Sequence, residues 1–129
     1  MRALLDTSVF LRMALDPDSL APEALEVIED EGVELLLSAA SVWEIAIKVS
    51  VGKMALPEPP TRFVPERMAS MCVDPLSVTS THALAVVGLP MHHRDPFDRL
   101  LVGQARIEGI PVISEDAQLA AYDVELIRA

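Results

Sequence analysis

Short apolar runs alternate with longer stretches of helical spacing along the whole chain. The runs cover residues 3–5, 35–37, 71–73, 111–113 and 124–127, each of a length suited to a buried strand. Helical spacing occupies residues 9–15, 22–31, 41–51, 63–70, 78–87 and 97–108, and a short last helix fits 117–122. Strands separated by helices require right-handed crossovers, which predicts an α/β fold with a parallel sheet covered on both faces. Gly32, Gly88 and Gly109 each follow a helical stretch, where a C-terminal cap is expected before the chain returns to the sheet. Pro57-Glu58-Pro59-Pro60 reads as an exposed connection within one domain, because neither flank is long enough to stand alone.

With 129 residues, one domain spanning 1–129 is expected. Hydrophobic residues make up 51% of the chain and aromatic residues only 4%, so the core must be built from Leu, Val, Ile and Ala. Cys72 is the only cysteine. An intrachain disulfide is therefore impossible, and its apolar setting between Met71 and Val73 predicts a buried structural thiol. The apolar start of the chain meets Asp6 too soon for a signal peptide or membrane span, so a cytoplasmic location is expected. Met54, Met68, Met71 and Met91 read as packing residues or as the lining of a partner groove.

The formal net charge is −10, which at first argues against a nucleic-acid substrate. The charge is uneven: residues 1–47 carry −8, residues 48–107 carry +2 and residues 108–129 carry −4. Only the middle of the chain is suited to meet a polyanion.

In an open α/β sheet, ligands bind beyond the carboxyl ends of the strands, and acids fall at such places. Asp6 follows the first apolar run, Asp116 closely follows the fourth, and Asp98 lies at the start of the helix before the fourth. Glu44 joins them from the helix after the second run. Each also has a plainer reading. Asp6 and Asp116 have the positions of helix caps. Asp95-Pro96-Phe97-Asp98 has the pattern of an N-cap, a proline at the first helical position and an acid at the third. Glu44 precedes Lys48 by one turn, the favourable orientation for an ion pair.

Glu44 lies on a helix with Val42, Ile45, Ala46 and Val49 as one apolar stripe, extended to a second side by Trp43 and Ile47. A helix buried over most of its circumference has little use for a carboxylate except in a cleft. Acids gathered in a cleft repel one another unless a cation or protons are bound. Oxygen ligands of this kind suit Mg²⁺ or Mn²⁺, and such a cation supports in-line hydrolysis of a phosphodiester. His92 and His93 are assigned to a loop rather than to ligation, since a borderline metal needs further His or Cys ligands and only His82 and Cys72 remain.

Leu4-Leu5-Asp6-Thr7-Ser8, the stretch from Ser38 through Ser41-Val42-Trp43-Glu44 to Lys48, His92-His93-Arg94-Asp95-Pro96-Phe97-Asp98-Arg99-Leu100-Leu101 and Ile113-Ser114-Glu115-Asp116 occur in one order. Together they resemble the PIN-domain ribonucleases, specifically the VapC-like toxins of type II toxin–antitoxin pairs, over essentially the whole chain. The resemblance implies a three-layer α/β/α fold with a parallel five-stranded sheet of order 3-2-1-4-5, a carboxylate site for Mg²⁺ or Mn²⁺, and endonucleolytic cleavage of RNA. Asp6, Glu44 and Asp98 match the three main acids, and Asp116 matches a more variable fourth, with Glu115 beside it as the competing choice. Thr7 and Ser114 match polar positions that orient the acids. A homodimer and a cognate VapB-like antitoxin are the implied partners.

Lys48, Arg94 and Arg99 lie near these acids in sequence and are candidates for phosphate contacts, with the ion pair to Glu44 as the alternative for Lys48. Two other acidic Mg²⁺ pockets are disfavoured. A receiver domain needs a late lysine, and the last here is Lys53; the phosphatase pattern wants a second Asp two residues after Asp6, where Ser8 stands. The remaining alternative is a non-catalytic acidic module that captures a basic partner.

Overall fold

The computed structural model describes residues 1–129. It contains strands β1 (Arg2–Leu5), β2 (Glu34–Ser38), β3 (Val73–Leu76), β4 (Val112–Ser114) and β5 (Leu126–Arg128). The α-helices are α1 (Thr7–Leu15), α2 (Pro22–Glu29), α3 (Ala39–Ser50), α4 (Pro60–Ser70), α5 (Ser80–Ala85) and α6 (Pro96–Glu108), with 3₁₀ turns at Pro17–Ser19, Val86–Gly88 and Ala117–Ala121. All four strand pairings are parallel and the order is β3-β2-β1-β4-β5, as the alternation of runs and the family resemblance led one to expect. No helix is long and apolar enough to cross a membrane.

Alternation along each strand divides the core in two. Ala3, Leu5, Leu35, Leu37 and Ile113 face α1 to α4, where Val9, Phe10, Ala24, Ile45 and Phe63 meet them. Leu4, Leu36 and Val112 point to the opposite face and pack against Leu101, Val102 and Ala105 of α6 and against Leu119. Register explains why the two sets stay separate: Leu4 lies opposite Leu36 and Val112, and Leu5 opposite Leu37 and Ile113. The sheet is therefore the middle layer of three.

Several sequence expectations are corrected. The third strand begins two residues later than its apolar run, because α4 continues to Ser70 and Cys72 adopts φ 55° before Val73 enters the sheet. Cys72 is exposed rather than buried. Of the three glycines, only Gly109 is a left-handed helix cap, with φ 67° after α6. Helix α2 ends at Glu29 with Asp30 as its cap, and the Asp30 carboxylate accepts a hydrogen bond from Gly32 N; Gly88 closes a 3₁₀ turn. Met91 is exposed and packs in no core.

Helix α3 is also less enclosed than its composition implies, since Trp43 is 63% exposed and packs edge-on against Phe97. Glu44 is nonetheless buried. Its burial comes from facing α1, not from a helix surrounded on all sides.

The left-handed conformation of Cys72 costs a residue with a Cβ about 1 kcal/mol. Cys72→Gly is therefore expected to raise stability by roughly 0.5–1 kcal/mol, read as a higher denaturation midpoint with an unchanged slope. An unchanged or lower midpoint would count against strain at this position.

Candidate active site

Strand order places β1 between β2 and β4, so the chain runs outward from β1 in both directions. The carboxyl ends of β1 and β4 flank the point where the connectivity reverses, the place where an open parallel sheet leaves a crevice. The first residue beyond β1 is Asp6. Its backbone stands at the N-cap position of α1, but its side chain caps nothing; Oδ2 instead accepts a 2.5 Å hydrogen bond from Ser114 Oγ at the end of β4. Ser114 Oγ also accepts from the Asp116 backbone N–H at 3.0 Å. One serine thus fixes Asp6 and the turn that carries Asp116.

Thr7 performs the parallel task for Glu44. Its Oγ1 lies 2.7 Å from Glu44 Oε1 and 2.8 Å from Ser41 Oγ. A threonine hydroxyl has one proton, and the carboxylate can only accept, so Thr7 donates to Glu44 and accepts from Ser41. Thr7, Ser41 and Glu44 are all buried, which holds the acid in one rotamer.

Asp98 arrives on the first turn of α6. Asp95 is the N-cap expected from the sequence, accepting from the N–H groups of Phe97 at 2.8 Å and Asp98 at 3.4 Å, with Pro96 at the first helical position. That cap leaves the Asp98 carboxylate free to face the crevice. Asp116 caps the last 3₁₀ turn through Oδ1 on Gln118 N, at 2.9 Å. Its other oxygen, Oδ2, lies 2.7 Å from His93 Nε2, and the same nitrogen is 3.2 Å from Asp98 Oδ2. Capping and site membership are compatible for Asp116 because each uses a different oxygen.

Asp6, Glu44, Lys48, Asp95, Asp98 and Asp116 are thereby brought to one cleft of about 260 Å³. Glu115 reaches its rim, but its carboxylate is paired with Arg12 at 3.0 Å. A larger hollow of about 580 Å³ lies at the amino ends of β4 and β5, beside Pro111, Asp123 and Glu125. It has no comparable gathering of acids, so charge rather than size distinguishes the smaller cleft.

The electrostatics of the cleft are unfavourable without a cation. Burial pushes the Asp98 carboxyl up to about 7, with Asp6, Asp95 and Glu44 adding like charge and His93 opposing them. Burial also raises Asp6, assisted by Glu44 and Asp116 and resisted by the bond from Ser114 and the Thr7 backbone. Lys48 is held above its usual range chiefly by its hydrogen bond to Glu44, at 2.6 Å. A set of crowded carboxylate oxygens, two of them raised in proton affinity, is the donor chemistry of a hard divalent cation.

The other sequence candidates fall differently. Lys48 both pairs with Glu44 and lines the cleft, so neither of its readings excludes the other. Arg94 is exposed on the loop before α6. Arg99 does not reach the cleft: its guanidinium donates to the carbonyls of Val86, Leu89 and Pro90 and to Tyr122 Oη. Its place one residue after Asp98 turns it a hundred degrees around α6, and it holds the preceding loop instead of facing a phosphate. The His93 backbone lies in the loop expected for it, but its ring packs against two acids of the cleft, Asp98 and Asp116; adjacency to Asp95-Pro96 is the only trace of this in the sequence. His82, which the sequence offers only as a spare metal ligand, has a structural place instead. It is buried in the capping box of α5 and, ahead of Arg2, draws Glu108 below the usual carboxylate range.

The family model of the PIN domain matches residues 3–125. This chain belongs to the PIN domain family. Within it, the PIN chain is 45% identical over 60 residues to Ribonuclease VapC16 of Mycobacterium tuberculosis, a match covering 46% of this chain and 43% of that protein. The aligned segment thus spans less than half of that relative. Among solved structures, a chain of VapBC2 from Rickettsia felis, bound to a DNA fragment from their promoter, superposes with a TM-score of 0.74 at 12% identity. The match covers 98% of this PIN chain and 97% of that one. A chain of DNA-bound VapBC from Salmonella typhimurium gives 0.66 at 14% identity, with coverage of 98% and 96%. At those identities the likeness establishes the fold.

Proposed function

We propose that this PIN domain is a divalent-metal-dependent endoribonuclease, acting as the toxin of a toxin–antitoxin pair. The observation that carries the reading is the convergence of Asp6, Glu44, Asp98 and Asp116 on one cleft at the switch point of the sheet, with Asp6 and Asp98 raised in proton affinity by burial and by neighbouring carboxylates. Similarity to a protein named Ribonuclease VapC16 supports the substrate. The fold neighbours, solved as VapBC complexes, support a VapB-like antitoxin.

Asp6, Glu44 and Asp98 would hold Mg²⁺ or Mn²⁺ directly or through water, and Asp116 would support a second ion or orient the attacking water. The bound cation supplies polarisation of the phosphoryl oxygen and a lower pKa for that water. The protein's own contribution is orientation: Ser114 fixes Asp6, and Thr7 fixes Glu44, so little rearrangement is needed when the substrate arrives. Lys48 and Arg94 are the proposed phosphate contacts. Water attacks phosphorus in line, the bond to the ribose oxygen breaks, and that oxygen leaves as a hydroxyl. The acidity of the chain fits a basic inhibitor, since an arginine placed among the acids makes strong charge-assisted hydrogen bonds. Pairing as a homodimer is carried over from the VapC resemblance, and a cytoplasmic location from the early Asp6 in the N-terminal run.

Incubation with total RNA tests this directly. Fragments are expected with Mg²⁺ or Mn²⁺ and none in EDTA. Binding of a basic partner without any cleavage, with or without cation, would favour the non-catalytic module instead.

A further inference from the structure

His93 Nε2 lies within hydrogen-bonding reach of two of the proposed cation-binding carboxylates, and the hydrogen bonds of the ring specify what it can do there. Nδ1 accepts the Asp95 backbone N–H at 3.0 Å. A nitrogen that accepts carries no proton, so in the neutral ring the proton lies on Nε2. That Nε2–H is 2.7 Å from Asp116 Oδ2 and 3.2 Å from Asp98 Oδ2. A nitrogen bearing a proton has no lone pair to give a metal. Ligation through Nε2 would move the proton to Nδ1, where it would confront the Asp95 N–H.

The ring is held from several sides. The His93 backbone N–H donates to Tyr122 Oη at 2.9 Å, Arg99 donates to the same oxygen at 3.3 Å, and Arg99 also ties down the carbonyls of Leu89 and Pro90 just before the loop. Asp95, which orients the ring, is itself the cap of the helix that carries Asp98. The loop, the cap and the two acids therefore form one connected hydrogen-bonded unit. This also gives Arg99 and Tyr122 a task that their distance from the acids did not suggest.

We propose that His93 is a positioning residue, a neutral Nε2–H donor that spans Asp98 and Asp116 and sets their separation for the cation without ligating it. The inference rests on the cation site proposed above. Outer-shell partners of this type typically change metal affinity or activity about 10–100-fold when removed. Gln places an N–H donor at nearly the reach of Nε2, whereas Ala places none, and Tyr122→Phe removes the hydroxyl that accepts from the His93 backbone and from Arg99 while leaving the ring of His93 in place.

The test is Mn²⁺ binding followed by electron paramagnetic resonance, with RNA cleavage measured separately. His93→Ala is expected to weaken Mn²⁺ binding roughly 10–100-fold, His93→Gln to recover most of it, and Tyr122→Phe to fall between. In the parent protein, bound Mn²⁺ is expected to show no electron spin-echo modulation from a directly coordinated imidazole nitrogen. Such modulation, lost in His93→Gln, would make His93 a ligand and overturn the proposal. Equal Mn²⁺ affinity in parent and His93→Ala, or no Mn²⁺ bound by the parent, would overturn it as well. Because binding is read without RNA, a protein that binds Mn²⁺ in this His93-dependent way but cuts nothing would refute the ribonuclease reading alone.

Discussion

Asp6→Asn is expected to reduce RNA cleavage by at least roughly 100–1,000-fold, the scale on which removal of one preorganised electrostatic group acts, while raising heat stability in EDTA. The two effects have one cause. Asp6 is buried, and Glu44 and Asp116 repel its charge, so its proton affinity is raised and its ionised form opposes folding near neutral pH. Asparagine keeps an oxygen to accept from Ser114 Oγ, as Asp6 Oδ2 does, but cannot ionise or hold a cation equally well. Relief of that burial and repulsion is expected to raise the melting temperature. Sites built for function commonly trade stability in this way. A folded variant that cuts at the parent rate, or one that melts below the parent in EDTA, would contradict the role given to Asp6.

The second large effect is a reversal of pH dependence by metal. In the metal-free protein Asp98 titrates near 7 instead of near its usual value of 3.8, and Asp6 is shifted in the same direction. Between those limits the folded state binds more protons than the unfolded chain. Stability contributed by Asp98 is therefore lost as pH rises from about 4 through about 7, and Asp6 acts in the same direction. A divalent cation competes with those protons and needs the ionised acids. Saturation at 100 times Kd adds about 2.7 kcal/mol, or roughly 10 °C in melting temperature. The gain is expected to be large at pH 8 and small at pH 5. Melting curves across that range, in EDTA and in excess Mn²⁺, provide the check; a cation effect that is equal at both ends would separate the acids from the binding site.

The architecture was legible because the central strands are apolar on both faces. Leu4 between Ala3 and Leu5, and Leu36 between Leu35 and Leu37, serve two cores at once, and only a sheet covered on both sides uses such runs. The acids were legible in position because Asp6 and Asp116 follow strands, and Asp98 follows a strong cap. Orientation was not. Whether Asp6 caps α1 depends on Ser114, which is distant in sequence and adjacent only once β1 and β4 pair. Arg99 and His93 show the same limit from opposite directions: proximity to Asp98 in sequence put Arg99 near the site and left His93 in a loop, whereas helical rotation carries Arg99 away and the Asp95 cap turns the His93 ring inward. Cys72 was misjudged because apolar neighbours do not reveal a left-handed turn that lifts the side chain out of the core.

The most direct measurement is cleavage of RNA in ¹⁸O-labelled water, with the product ends read by mass spectrometry. Cation-assisted attack by water on phosphorus should place one ¹⁸O on each new terminal phosphate, leave a hydroxyl on the other fragment, and cease in EDTA. Unlabelled 2′,3′-cyclic phosphate ends, or cleavage that persists in EDTA, would contradict a carboxylate-held cation as the centre of the reaction.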